Sequence, residues 1–176
     1  MNQKITPFLW FDMNCEEAVN YYVDTFNNAP HGNKTPASPA GRSKINFIQR
    51  YEEGMKTPSN DKMLGKVITM EFELDEMRFQ ALDGGPIFKF NESVSMMVHC
   101  ADQEEVDYFW EKLSAVPENE QCGWCKDKFG LSWQIIPKQL EELASGPDKE
   151  KALKVINAML GMKKLIVADL EAAYNR

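Results

Sequence analysis

Two nine-residue stretches, NCEEAVNYY at 14–22 and DQEEVDYFW at 102–110, decide how this chain is organised. Each begins with a residue that favours a helix N-cap, continues through a pair of glutamates, and ends in two aromatic residues. Each also follows a strand-like segment and precedes further strands. The shared order of elements predicts that one module occurs twice along the chain.

The first module starts with a strand-like segment at residues 5–11. A helix is predicted from Asn14 to about Asn27, with Glu17 in the capping-box position. Apolar residues recur at helical spacing along it, at Cys15, Ala18, Val19, Tyr22 and Phe26. Alternating patterns predict three more strands, at 44–51, at 66–74 and, after a hairpin tip at Asp75-Glu76, at 77–83.

The second module repeats this order. A strand is predicted at 93–101 and a helix after Asp102, with Glu105 in the capping-box position. Two strands follow, in CGWCKDK at 122–128 and LSWQIIP at 131–137. The predicted fold class is α+β, with two β-α-β-β-β modules.

The domain prediction places one domain at residues 1–140 and a C-terminal helical extension at 141–176. Module one covers about 4–90 and module two about 91–138. In the extension, Asp148 and Asp169 are predicted to cap helices. The extension is expected to cover a sheet edge or to dock on a partner subunit.

Composition excludes two classes of partner. The net charge is −7 and the sequence pI is about 5.0, which argues against binding to nucleic acid, because phosphate contacts need clustered Lys and Arg. The apolar runs are too short to cross a membrane. The N-terminal stretch resembles a strand and has no signal-peptide pattern, so the predicted location is cytoplasmic.

The cysteines predict neither a disulfide framework nor a metal site. Four cysteines are too few for a disulfide scaffold in 176 residues. Cys100, Cys122 and Cys125 with His99 do not have the spacing of a zinc finger or ribbon. Cys122 and Cys125 have the spacing of a redox dithiol, but the motif is expected to open a strand, where side chains three residues apart point to opposite faces. An intramolecular disulfide between them is therefore not expected.

Five stretches together resemble a known family. They are ITPFLWFD with NCEEAVNYYVDTF, VITMEFELDEMRFQALDGGPIFKF, QEEVDYFWEKLS, CGWCKDKFGLSWQIIP, and INAMLGMKKLIVADLEAAY. They are similar to the PhnB-like family of the vicinal oxygen chelate superfamily (glyoxalase, bleomycin resistance protein and dihydroxybiphenyl dioxygenase). Many of its members carry the label 3-demethylubiquinone-9 3-methyltransferase. The resemblance implies a curved mixed sheet around a cavity, formed by the paired modules, usually in a homodimer. The loops at 30–43 and 52–65 look longer than is usual in the family. Cys125 occupies a place that an aliphatic residue often holds in the family, so the resemblance implies that it fills the core.

The resemblance also locates the superfamily's metal-ligand positions. They fall on Pro7, Gln80, Ser95 and Gln134, so the set has no carboxylate and no imidazole. Neutral amides and a hydroxyl offset the desolvation of a dication poorly. We therefore expect neither a tightly bound catalytic metal nor a cofactor, while a weakly held divalent metal remains an open alternative.

The residues expected to face the cavity are mostly apolar with a few polar groups, as is typical of small-molecule sites. They are Leu9, Phe11, Phe47, Gln49, Gln80, Ser95, Met97, His99 and Gln134. This set predicts binding of a small, mostly apolar molecule. His99 is also a candidate general base, because an imidazole titrates near neutral pH.

Two alternatives stay open, so whether the chain is an enzyme is left undecided. One is an isomerase, lyase or transferase of the superfamily that uses His99 or a weakly held metal. The other is an interaction protein that acts through its C-terminal tail. The methyltransferase label has no support in the residues. The stretch DMNCEEA after the first strand lacks the glycine-rich turn with which doubly wound folds commonly bind S-adenosylmethionine.

Overall fold

The computed structural model describes residues 3–30, 42–56 and 63–176. Most of the two long predicted loops lies outside these ranges. The chain forms two compact units, one up to Lys89 and the other from Phe90 to Arg176. Across the described ranges, no helix is long and apolar enough to cross a membrane.

The first unit has the predicted β-α-β-β-β order. Its elements are β1 (Phe8–Phe11), α1 (Cys15–Asn27), β2 (Lys44–Arg50), β3 (Val67–Leu74) and β4 (Met77–Asp83). The strands form one mixed sheet in the order β1-β4-β3-β2, with β1 parallel to β4 and the other pairs antiparallel. This part of the predicted α+β fold is confirmed.

Helix α1 covers one face of this sheet, and the two bury a common core. Cys15, Ala18, Val19 and Tyr22 of the helix are fully buried, as the predicted stripe requires. Asn14 is the N-cap residue, as predicted, but its side chain makes no capping hydrogen bond. Instead the backbone N–H of Cys15 donates to Oδ1 of Asp83, 2.8 Å away at the end of β4. The helix start is therefore fixed by a residue that lies far away in the sequence.

Trp10 anchors the segment that follows β4. Its indole N–H donates to the carbonyl of Gly85 at 2.9 Å, and its ring meets Phe88 edge to face at 4.8 Å. A Cβ on Gly84 would lie 2.1 Å from the Trp10 ring. Position 84 therefore needs glycine, because the indole occupies the space of any side chain.

The second unit has its own mixed sheet and all the C-terminal helices. Its elements are β5 (Ser95–Cys100), α2 (Gln103–Leu113), β6 (Trp124–Lys126), β7 (Ser132–Pro137), α3 (Lys138–Ala144), α4 (Lys149–Leu160) and α5 (Val167–Asn175). The strand order is β5-β7-β6, with β5 parallel to β7. The α+β class with C-terminal helices is confirmed, and the described strands form two separate hydrogen-bonded sheets.

The second unit differs from the full module between α2 and β6. Here the module pattern places a strand, but the chain forms a short 3-10 helix at Pro117–Asn119. Proline has no N–H to donate to a neighbouring strand, which disfavours sheet pairing at this point. Within the described residues, two strands therefore follow α2, as the stretches at 122–128 and 131–137 predict.

Helix α2 begins as predicted. Oδ1 of Asp102 accepts from the backbone N–H of Glu105 at 3.1 Å, and the Glu105 carboxylate accepts from the backbone N–H of Ala101 at 2.6 Å. Its apolar stripe, Val106, Phe109 and Leu113, is buried. Asp102 therefore caps the helix as expected, while the Glu105 carboxylate bonds the residue before the cap and not the N-cap N–H of a standard capping box.

The C-terminal helices pack on the end of β7. Their apolar cluster contains Ile136, Leu140, Val155, Leu165 and Leu170. The backbone carbonyls of Met162 and Lys163 accept from the N–H groups of Cys122 and Gly123, both at 2.8 Å. The tail thus adds backbone hydrogen bonds to the turn before β6.

Two capping predictions in the tail have opposite outcomes. Asp148 caps α4 by accepting from the N–H groups of Glu150 and Lys151, as predicted. Asp169 lies inside the first turn of α5 and does not cap it. The N–H of Val167 instead donates to the side chain of Gln103 at 2.7 Å, so a residue of α2 fixes this helix start.

Candidate functional site

The face of the first sheet opposite α1, which we call the open face, carries two rows of cross-strand neighbours. One row is Phe8, Gln80, Glu71 and Phe47, and the next is Trp10, Leu82, Thr69 and Gln49. Phe8 is 53% exposed and Phe47 is 56% exposed. The first row therefore ends in an accessible aromatic ring on both sides and has polar groups between them.

The structure separates the predicted site residues of this sheet into two groups. Phe47, Gln49 and Gln80 lie on the open face. Leu9 and Phe11 lie on the other face, where they are 5% and 2% exposed in the core with α1. Side chains alternate along a strand, so Leu9 and Phe11 cannot share a face with the neighbours of Gln80.

The open face instead presents Phe8 and Trp10 from β1, which sequence reasoning missed. All four residues of FLWF are large and apolar, so alternation alone does not reveal which pair is covered by the helix. The pairing of Phe8 with Gln80 shows that Phe8 and Trp10 are the pair on the open face. That pairing depends on the register between β1 and β4.

The charged groups of the open face have partners. Oε1 of Glu71 lies 3.4 Å from the amide nitrogen of Asn46 and 3.8 Å from Nε of Arg78. A hydrogen bond from Asn46 and the nearby Lys44 lower the pKa of Glu73. Among the described contacts, the side chains of Gln49 and Gln80 have no hydrogen-bond partner, so these amides remain available to a ligand.

The second sheet places Ser95, Met97, His99 and Gln134 on the face opposite α2. The register pairs Ser95 with Ser132, Met97 with Gln134, and His99 with Ile136. Gln134 is half-buried, and its amide nitrogen donates to Oγ of Ser95 at 2.8 Å. The C-terminal cluster covers the Ile136 end of this face. The hydrogen-bonded pair of Gln134 and Ser95 therefore lies in the middle of a sheet face that the C-terminal helices partly cover.

The superfamily's metal positions do not fit a tightly held dication in this chain. Pro7 offers a backbone carbonyl, which already accepts from the N–H of Gln80 at 2.9 Å. Gln134 and Ser95 are bonded to each other. The described part of the chain has no group of three or more His, Cys, Asp and Glu side chains that could hold a metal ion. Because the donors are neutral and partly used, no reaction step is assigned to a metal.

His99 lies at the surface, next to a carboxylate. Its side chain is 61% exposed, and Nδ1 lies 3.2 Å from Oε1 of Glu141 on α3. A carboxylate beside Nδ1 orients the ring, so Nε2 is the nitrogen left to form a hydrogen bond with another group. The pair is exposed to water, unlike the covered base of a closed active site.

The Cys-x-x-Cys motif is a turn that leads into a strand. Cys122 and Gly123 have φ values of 52° and 86°, and Gln121 exchanges backbone hydrogen bonds with Trp124 around them. The expectation that the strand starts at Cys122 is wrong, since β6 begins at Trp124. Positive φ at two successive residues is the conformation of a tight hairpin turn, which glycine favours.

Cys125 is a core residue, as predicted. Its side chain is 1% exposed, and burial raises the pKa of its thiol to about 12. Burial has the same effect on the pKa values of Cys15 and Cys100, both raised to about 12. These thiols stay protonated at neutral pH, and a thiol is a poor nucleophile compared with a thiolate.

Comparison with known proteins identifies the family. Residues 3–136 match the model of the family described as 3-demethylubiquinone-9 3-methyltransferase. The chain belongs to this PhnB-like family. Helices α3, α4 and α5 lie beyond the matched residues. No curated protein matches the chain.

One solved structure supports this assignment, and a second shares the fold. A PhnB protein from Bacillus cereus, proposed as a 3-demethylubiquinone-9 3-methyltransferase, is 31% identical, with a TM-score of 0.57 over 77% of this chain and 99% of its own. A protein from Pseudomonas aeruginosa is 15% identical, with a TM-score of 0.54 over 77% of this chain and 98% of its own. The second likeness shows the fold alone.

Proposed function

We propose that this PhnB-like protein binds a small, mostly apolar molecule on the open face of its first sheet, without a tightly bound metal. The observation that carries the proposal is the row from Phe8 through Gln80 and Glu71 to Phe47. Two accessible aromatic rings flank polar groups at the spacing of neighbouring strands, about 5 Å per step.

The chemistry of the row favours a neutral ligand. Covering exposed aromatic rings with an apolar ligand is favourable, because burial of apolar surface stabilises the complex by about 25 cal/mol per Å². The amides of Gln49 and Gln80 would orient the ligand, since each can both donate and accept a hydrogen bond. Glu71 lies beside Arg78 and Asn46, so this part of the face offers little net charge to an ion.

The proposal does not extend to methyl transfer, although the family's name includes it. The connection from β1 to α1 is Asp12-Met13-Asn14 and contains no glycine. A strand-to-helix turn of this kind lacks the close backbone approach by which a glycine-rich loop holds a nucleotide-like cofactor. The location that we propose is the cytoplasm, and the assembly is a homodimer, which light scattering on the purified protein would test.

Binding can be tested with N-phenyl-1-naphthylamine, a neutral apolar dye whose fluorescence rises on burial. We expect saturable binding to the full chain. Replacing Phe47 by Ala should weaken it about tenfold, or ~1.4 kcal/mol, because one ring contact is lost. Replacing Leu64 by Ala is the control, since Leu64 is 61% exposed and lies before β3. Equal affinities for the wild type and the Phe47→Ala variant would contradict the proposal.

The metal-independent part has its own test. Dialysis against a chelator should leave the affinity for the dye unchanged, and elemental analysis should find no stoichiometric divalent ion. A retained ion would instead favour the enzyme alternative that uses a weakly held metal or His99. Native mass spectrometry of the undialysed protein would then identify any co-purified ligand by its mass.

A further inference from the structure

A pocket of about 440 Å³ opens beside the outer edge of β6 in the second unit. It is lined by Glu92, Glu118, Asn119, Gln121, Cys122 and Trp124. None of these residues belongs to the site proposed above, and all of them lie in one unit.

The pocket lies where the module's second strand is interrupted. The outer edge of β6 is met near both ends: the N–H of Ala115 donates to the carbonyl of Lys126 at 2.8 Å, and Gln121 pairs with Trp124. Between these contacts the chain leaves the edge and forms the 3-10 helix. The diverging segment supplies four of the six lining residues, from Glu118 to Cys122.

The lining combines an aromatic ring with acidic groups. Trp124 is half-buried, while Glu118 is exposed on the 3-10 helix. Oε1 of Glu92 accepts from the amide of Asn119 at 2.8 Å and from the ammonium of Lys126. These bonds hold Glu92 in place, and the bond from Lys126 lowers its pKa, so it stays ionised.

The lysines near the pocket already have carboxylate partners. Lys126 is paired with Glu92, and Lys163 donates to the carbonyl of Pro117 and to the carboxylate of Glu120, both at 3.2 Å. Neither lysine lines the pocket. Within the described residues, no ion pair involves Glu118, whose carboxylate therefore remains available to an incoming cation.

We infer that this pocket binds a small organic cation, an ammonium group attached to a flat or apolar body. The body would lie on the indole of Trp124, whose ring face also attracts a cation, and the ammonium would meet Glu118. Anions are disfavoured by the Glu118 carboxylate, because the charge of Glu92 is already compensated by Lys126. The net charge of −7 adds a weak general attraction for cations. This ligand class differs from the neutral ligand proposed for the first sheet, so each proposal can fail separately.

Cys122 provides a reporter for occupancy. It lines the pocket, whereas the other three cysteines are buried. The experiment measures the rate of Cys122 alkylation by N-ethylmaleimide, with peptide mass spectrometry, in the full chain at constant ionic strength. We expect saturating phenethylammonium to slow this alkylation at least fivefold. The anion 3-phenylpropionate, of similar size, should leave the rate unchanged.

Two variants locate the contacts. Glu118→Gln should remove most of the protection by phenethylammonium, and because Glu118 is exposed the variant should fold. Glu171→Gln is the matched control on α5 and should keep the protection. Trp124→Leu should weaken it at unchanged charge. Equal protection by the cation and the anion, no protection by either, or full protection in Glu118→Gln would overturn the inference.

Discussion

The equivalent strands β3 and β6 are covered along their outer edges in different ways. In the first unit, β2 follows β3 from Lys44 to Arg50, with bulges in its register. In the second unit, the corresponding stretch touches the edge of β6 through Ala115 and Gln121 and bends away between them. The C-terminal tail meets the turn at Cys122 and Gly123 instead. A strand edge without a neighbour is an aggregation hazard, and the edges of β3 and β6 are each covered by a different device.

The comparison shows how one module can yield two different surfaces. The first unit keeps all its strands and has an open sheet face with exposed aromatic rings. The second unit loses regular pairing at one strand, and a pocket appears beside the 3-10 helix. The repeat therefore fixes the framework, while a local departure from it creates a separate candidate site.

The hairpin between β3 and β4 in the first unit differs from the hairpin between β6 and β7 in the second. This difference gives the largest predicted change in stability. In the second unit, the buried carboxylate of Asp127 accepts from the N–H groups of Phe129 and Leu131 and from the indole of Trp133, at 2.8–3.0 Å. Replacing Asp127 by Ala leaves these buried donors unpaired. The free energy of unfolding should fall by about 3–4 kcal/mol, measured by urea denaturation.

Two further variants control this prediction. Asp127→Asn keeps an acceptor for the two backbone donors and should recover part of the loss. In the first unit the hairpin turns through exposed residues, so Glu76→Ala should change the stability by less than about 0.5 kcal/mol. A similar loss in both hairpins would remove the proposed difference between the units.

The next largest loss of stability is expected in the first unit, from a substitution that tests the contact between Trp10 and Gly84. Replacing Gly84 by Ala forces the indole away and breaks its hydrogen bond to Gly85. Overpacking of this kind should cost about 1–3 kcal/mol of stability. If the clash is the cause, Trp10→Leu should relieve it, and the double variant should lose less than the sum of the two single losses. Additive losses would show that the indole is not responsible.

The sequence predicted those parts of the fold that depend on local patterns. The stripe on α1 and the Asp102 cap of α2 use residues three and four positions apart, so they can be identified without knowing the fold. Alternation likewise predicted β3 and β4 on either side of the turn at Asp75-Glu76. These features need no information about distant residues.

The rest depends on contacts between residues far apart in the chain. Asp83 holds the start of α1 and Gln103 holds the start of α5, and neither has a local signature. The faces of Leu9 and Phe11 were set by the register between β1 and β4. The interrupted strand had one local signal, Pro117, but the pocket beside it also needs Glu92 from before β5.

The smallest effect compares equivalent positions of the repeat, Glu16 on α1 and Glu104 on α2. Glu16 forms a two-fold hydrogen bond with Arg50 of β2, and this bond lowers its pKa below the ordinary 4.5. Because the folded-state pKa is the lower one, the stabilisation is full above pH 4.5 and is lost as the pH falls through the folded value.

Glu16→Gln should therefore reduce stability slightly at pH 7 and by progressively less as the solution is acidified below pH 4.5. The loss stays small because the two side chains are 43% and 40% exposed, and water screens the pair. Glu104→Gln should leave the stability at pH 7 nearly unchanged, since the described residues include no ion pair for Glu104 and the second unit has no regular strand at the place of β2. Thermal melts of both variants against the wild type between pH 3 and pH 7 measure this, and matching profiles would mean that Arg50 does not tie α1 to β2.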